Sequence, residues 1–162
     1  MTGLDNLARY WPAPTERDHK YTRGVVCMAT GSEHSPGAAL IGCEAAARCG
    51  VGMVRYLGPE AVARMVIART PEVVPAVGRA QVFVAGSGWE GPGRLEAVRA
   101  CMTETSPGAH LVADAGALGP ALARANSDGF SARLVLTPHA GEAAALLDGW
   151  DRGRIEASPR EA

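Results

Sequence analysis

The chain has 162 residues, a formal net charge of −1, 47% hydrophobic residues and 20% charged ones, which suits one packed domain and leaves little room for two. With no basic excess and no basic stripe along any expected helix, the field that gathers nucleic acid or an anionic membrane surface is missing, so neither is expected as a partner. Cys27, Cys43, Cys49 and Cys101 form no Cys-x-x-Cys pair, so the expectation is reduced thiols used as small buried hydrophobes, without a metal site.

The N-terminal MTGLDNLARYW lacks a basic segment followed by an apolar one, and no apolar run approaches ~18 residues, so a cytoplasmic location is expected. Residues 1–20 read as a polar lead-in and residues 21–150 as one α/β domain. Its first strand is expected over Gly24–Ala29 and its first helix over Pro36–Cys49, with Gly50 as the left-handed residue past the helix end. Then come a strand over Gly52–Leu57, a helix over Pro59–Ala68, a strand over Gln81–Ala85 and a helix over Pro92–Thr103. Strands over His110–Ala113 and Arg133–Leu136 alternate with helices over Ala115–Ala125 and Pro138–Leu147. The strands are brief, nearly continuous apolar runs, as in a sheet covered on both faces. Ser35-Pro36, Gly58-Pro59, Gly91-Pro92 and Thr137-Pro138 each look like a capping residue followed by Pro at the first helical position. Strands alternating with helices imply a doubly wound, mostly parallel sheet with helices on both faces. Residues 151–162 look like the start of a further helix capped at Ser158-Pro159, and the chain is expected to be C-terminally incomplete, with an unpaired sheet edge and an apolar helix-docking face exposed.

Ligands of open parallel sheets sit beyond the carboxyl ends of the strands. After the first strand comes Thr30-Gly31-Ser32 and then Ser35-Pro36-Gly37-Ala38-Ala39, where small side chains open the backbone to a ligand. After the third comes Gly86-Ser87-Gly88-Trp89, a second loop with N–H donors. Gly91 adds a third glycine, but no acidic ribose binder ends a neighbouring strand ~20 residues on, so a Rossmann dinucleotide site is poorly supported. Asp114 closes the fourth strand; it could accept hydroxyl hydrogen bonds, hold a water or metal, or simply cap a helix. His139 places an imidazole in a first helical turn beside Gly141, suited either to a ligand or to a structural contact.

In order and spacing, Gly31-Ser32, Pro36-Gly37-Ala38-Ala39, Pro71-Glu72, Gly86-x-Gly88, Asp114-Ala115-Gly116-Ala117-Leu118 and Thr137-Pro138-His139-x-Gly141-Glu142 resemble the NAD(P)H-hydrate dehydratase family of the ribokinase-like superfamily, over roughly residues 18–150. The resemblance implies dehydration of hydrated NADH or NADPH coupled to hydrolysis of ADP or ATP, with Mg2+ among the candidate companions. It places Ala38, Gly86, Gly88 and His139 along the hydrated dinucleotide and Asp114 and Glu142 in an acidic crevice. Ser87 stands where the family usually has Pro, and Glu90 where it usually has Gly. The family's lysine-bearing strand and its Gly-Thr-Gly-Asp anion hole, which carries the catalytic aspartate, do not occur in these 162 residues. No catalytic residue is therefore assigned, activity of the chain alone is doubtful, and a second copy or a missing C-terminal half is the expected partner. A small-molecule kinase of the same superfamily, or a non-catalytic nucleotide-binding module, remains open.

Overall fold

The computed structural model describes residues 12–91, 94–128 and 133–159. Five short strands, β1 (Val25–Ala29), β2 (Met53–Tyr56), β3 (Val82–Ala85), β4 (His110–Ala113) and β5 (Leu134–Leu136), alternate with helices α1 (Gly37–Arg48), α2 (Glu60–Arg69), α3 (Arg94–Thr105), α4 (Leu118–Asp128), α5 (Ala140–Leu146) and α6 (Arg152–Ala157). All strand pairs are parallel, in the order β2-β1-β3-β4-β5. The doubly wound α/β class expected from the sequence is therefore the observed one. From β1 the chain steps outward to β2 and then returns past β1 to β3, so the connections leaving β1 and β3 diverge and open a crevice between them.

Side chains alternate across the strands because the backbone is pleated. Val25, Cys27 and Ala29 of β1 join Phe83, Ala85, Leu111 and Ala113 in a core beneath Leu95, Val98 and Met102 of α3 and Ala121 of α4. Met28, Val54 and Tyr56 point the other way, into a second core under Ala39 and Cys43 of α1 and Val62, Ala63 and Val66 of α2. Burying both faces needs continuous apolar strands, which is what made these runs legible. Coverage thins toward β5, where Leu134 and Leu136 pack on the first core while Val135, on the opposite face, is 49% exposed.

Three expectations need correction. The prolines lie just outside the helices: Pro36 and Pro59 hold the N-cap positions of α1 and α2, and Pro138 precedes the cap of α5, which is His139. A residue without an N–H fits before the helix as well as at its first position. Pro92 lies outside the described residues. Among the described residues the last helix begins at Arg152, where the Asp151 carboxylate accepts from the Arg154 N–H at 2.8 Å, and Ser158 is its C-cap; residues 160–162, where a helix capped at Ser158-Pro159 would run, lie outside the described residues. The Asp151 cap satisfies one orphan donor of a turn holding buried Ile155. Finally, Cys27, Cys43 and Cys101 are buried but Cys49 is exposed, since it is the C-cap of α1 before Gly50, whose φ is +74°. Burial pushes the Cys27 and Cys43 thiols up to about 12.

Thr30, 1% exposed, keeps a buried hydroxyl that finds no hydrogen-bond partner among the described residues. It faces Gly42 of α1. An unpaired buried hydroxyl costs roughly 1–3 kcal/mol, so Thr30→Val, of the same shape, is expected to hold or raise the thermal midpoint. A fall of more than about 4 °C, or roughly 1–2 kcal/mol at this size, would mean that the hydroxyl is in fact satisfied.

Candidate functional site

Every loop that leaves the carboxyl end of β1, β3, β4 or β5 touches the next in spatial order. The Gly31 N–H donates to the Ser87 carbonyl at 2.7 Å. The Ser87 hydroxyl donates to Asp114 Oδ2 at 2.6 Å, and the Thr137 hydroxyl donates to Asp114 Oδ1 at 3.0 Å. The rim is one continuous hydrogen-bonded band across four loops.

Glycine makes the approach possible. At Gly86 (φ +112°) a Cβ would overlap the Asp114 carbonyl oxygen and crowd the Ala117 Cβ. At Gly88 (φ +71°) it would come 2.8 Å from the Ala38 Cβ and 3.1 Å from the Gly31 Cα. Both backbones lie in the left-handed region where L side chains are strained. Of the expected dinucleotide-lining residues, Ala38 and Gly88 thus meet face to face, while Gly86 is buried beneath the β4 turn and acts by letting the loops close. Among the described residues no acceptor is paired with the N–H groups of Gly37, Ala38 or Gly88, and these donors border the crevice at the start of α1.

Asp114 stands at the N-cap position of a short 3-10 turn, Ala115–Ala117, yet its side chain caps nothing there. Its carboxylate is turned sideways to the two hydroxyls. The following residue, Ala115, has φ +42°, strain that persists only where the surroundings impose it.

His139 and Glu142 form a capping box. His139 Nδ1 accepts from the N–H groups of Gly141 (3.1 Å) and Glu142 (3.2 Å), and Glu142 Oε2 accepts from the His139 N–H at 3.0 Å. An Nδ1 that accepts twice leaves the proton of the neutral ring on Nε2. That nitrogen lies 3.5 Å from Glu142 Oε1, and the imidazole is 72% exposed. The structural and ligand-binding readings of His139 therefore concern different nitrogens. Gly141 provides the space, since a Cβ there would lie 3.1 Å from His139 Cε1.

The sequence did not disclose how several further residues hold the rim. Arg94, in the first turn of α3, donates to the carbonyl oxygens of Gly31 and Leu57 (3.0 Å for Leu57) and lies 5.2 Å from the centre of the Trp89 ring. Burial draws its guanidinium below its usual range, with Tyr56 opposing that. Trp89 Nε1 donates to the Ala29 carbonyl at 2.7 Å, and the buried Tyr56 hydroxyl, pushed up to about 12 by desolvation, donates to the Thr30 carbonyl at 3.0 Å. The available signal was a cation at a helix N-terminus, where the dipole disfavours it. Glu90 spans the crevice mouth to His34, with Oε1 2.7 Å from Nδ1.

Both Asp114 oxygens and Glu142 Oε2 already accept hydrogen bonds, and no group of three or more His, Cys, Asp or Glu side chains placed to hold a metal occurs among the described residues. Nor is any described helix long and apolar enough to cross a membrane.

Comparison with known proteins gives a consistent result. A family profile described as NAD(P)H-hydrate dehydratase matches residues 26–160. The chain is 38% identical over 152 residues to the bifunctional NAD(P)H-hydrate repair enzyme Nnr of Mycobacterium tuberculosis (strain H37Rv), covering 87% of this chain and 30% of that protein. It is 33% identical over 181 residues to the ADP-dependent (S)-NAD(P)H-hydrate dehydratase of Xanthomonas campestris, covering 94% of this chain and 58% of that one. The fold superposes with a TM-score of 0.71 and 21% identity on the ADP/ATP-dependent NAD(P)H-hydrate dehydratase of Bacillus subtilis crystallised with ATP and Mg2+, over 93% of this chain and 56% of the other. The chain thus spans about a third to three fifths of the length of these relatives.

Two outcomes are expected from the rim geometry. Gly86→Ala would force both a left-handed Ala and a backbone overlap; strain of this kind costs about 1–3 kcal/mol before the overlap is counted, so a loss of at least about 3 kcal/mol is expected by denaturant unfolding, and a loss under about 1 kcal/mol would contradict the contact. The Glu90 carboxyl is held below its usual range near 4.5 by the Ser32 side chain and then by His34. A depressed carboxylate contributes above its unfolded value and is lost as pH falls through the folded one, so the tie across the mouth should persist above about pH 4.5 and release below it. Carboxyl chemical shifts of Glu90, compared with a His34→Ala variant, measure this.

Proposed function

We propose that this chain, a member of the NAD(P)H-hydrate dehydratase family, binds hydrated NADH or NADPH along its rim and takes part in the ADP- or ATP-dependent dehydration that restores the normal cofactor. The observation that carries this reading is the closed pair Ala38–Gly88, with unpaired N–H groups on both sides of the β1–β3 crevice, on the same rim as the loop after β5, two strands from β3, which presents His139 Nε2 as a donor. Backbone donors at a helix start suit the pyrophosphate or carboxamide oxygens of a dinucleotide. Ala38, Gly88 and His139 would line the ligand, Gly86 would hold the loops closed, and Asp114 and Glu142 would order the rim from behind. Any Mg2+ would arrive with the nucleotide phosphates, since the rim carboxylates are engaged. The comparisons do not favour the kinase reading.

The test separates the imidazole from its cap. His139→Ser keeps an N-cap acceptor and removes Nε2. Calorimetry should give saturable binding of hydrated NADPH to the unaltered chain, weakened roughly tenfold or more in the variant, as for loss of a hydrogen bond to a charged or strongly polar group, with ADP binding and the melt unchanged. Failure of hydrated NADPH to bind the unaltered chain would overturn the proposal. Equal losses for both ligands would make His139 a structural cap only.

A further inference from the structure

The β3 loop has little conformational preference of its own. Gly86 and Gly88 flank Ser87 in left-handed conformations, and glycine adopts these as readily as any other. Within the loop the Trp89 N–H donates to the Gly86 carbonyl at 3.0 Å, and the other contacts that fix it come from the neighbouring loops. On the β1 side it is held through the Gly31 N–H on the Ser87 carbonyl and Trp89 Nε1 on the Ala29 carbonyl. On the β4 side the side-chain tie among the described residues is the Ser87 hydroxyl on Asp114, 2.6 Å long. Asp114 does not cap its own turn, a contact usually worth about 1 kcal/mol. It accepts instead from Ser87 and from Thr137. The strained φ of Ala115 sits directly beside it.

We propose that Ser87 is a positioning residue for the ligand rim: by donating to Asp114, which Thr137 orients from the other side, it sets the shape of the β3 loop and so the placing of the Gly88 N–H. Asp114 in this arrangement is a strut between three loops, holding β3, β4 and β5 turns in one register. Part of the proposal, the effect on ligand, rests on the reading of this rim as the dinucleotide site; the effect on the loop does not.

Amide hydrogen exchange on the purified chain tests the loop directly, because Gly31, Trp89 and Ala117 each donate a hydrogen bond across or within the band. In Ser87→Ala these three amides are expected to exchange roughly 10–100-fold faster, the factor for a lost hydrogen bond to a charged group, while the core amides of Phe83 and Leu111 keep their rates. Ser87→Thr, which retains the hydroxyl, should restore protection, and Asp114→Asn should resemble Ser87→Ala. Unchanged exchange in Ser87→Ala, or an equal rise at the core amides, would overturn the proposal. Titration with hydrated NADPH and, separately, ADP completes the test: weaker binding of the dinucleotide alone in Ser87→Ala supports the positioning role, and unaltered dinucleotide binding overturns it. If the unaltered chain binds no hydrated NADPH, the functional reading fails, and the exchange rates still decide whether Ser87 sets the loop.

Discussion

Everything at the rim depends on how closely two backbones can approach at Gly86. The β3 loop passes under the Asp114 carbonyl at a distance that leaves no room for a Cβ, and this contact determines where the β4 turn begins. Once it is made, Gly88 falls against Ala38 and Gly31, and the crevice between β1 and β3 is closed at its base. The switch in strand order makes such a crevice available in any doubly wound sheet. The missing side chains narrow it to a seam lined by backbone donors.

Packing alone would leave this seam loose, because the residues that permit it are glycines. The structure answers with polar struts from behind. Arg94 holds the carbonyls after β1 and β2 and stacks near Trp89; Tyr56 holds the carbonyl of Thr30; Asp114 gathers the hydroxyls of Ser87 and Thr137. Arg94 is half-buried and donates to these two carbonyls in place of a carboxylate. The cost of partly desolvating its charge is offset by hydrogen bonds to the ends of strands that would otherwise carry unpaired oxygens.

Much of this was legible in the residues. Short, nearly continuous apolar runs alternating with stretches of helical length located the five described strands, because a sheet buried on both faces tolerates little else. Gly50 foretold its left-handed cap. The loops that matter could be located because each begins where a strand ends. Helix starts were misplaced by one or two residues at Pro36, Pro59 and Pro138, since proline is equally at home on either side of the boundary. The strut roles of Ser87, Thr137 and Arg94 were missed for a different reason: a hydroxyl or a guanidinium becomes a strut only when folding brings a distant acceptor to it, across 27, 23 and 63 residues of chain respectively. No local pattern encodes that separation. Asp114 shows the same limit, its capping position being readable but its sideways turn to two loops not.

The capping of α5 shows what the rim retains for a ligand. Asp114 spends both oxygens on neighbouring hydroxyls, Glu142 spends Oε2 on the His139 N–H, and His139 spends Nδ1 on two backbone donors. The groups left over at the rim are mainly donors: the N–H groups of Gly37, Ala38 and Gly88 and, by the tautomer its Nδ1 contacts require, the Nε2–H of His139. A surface that uses its acceptors internally and turns its donors outward suits a ligand rich in acceptors, such as the phosphate and carboxamide oxygens of a dinucleotide.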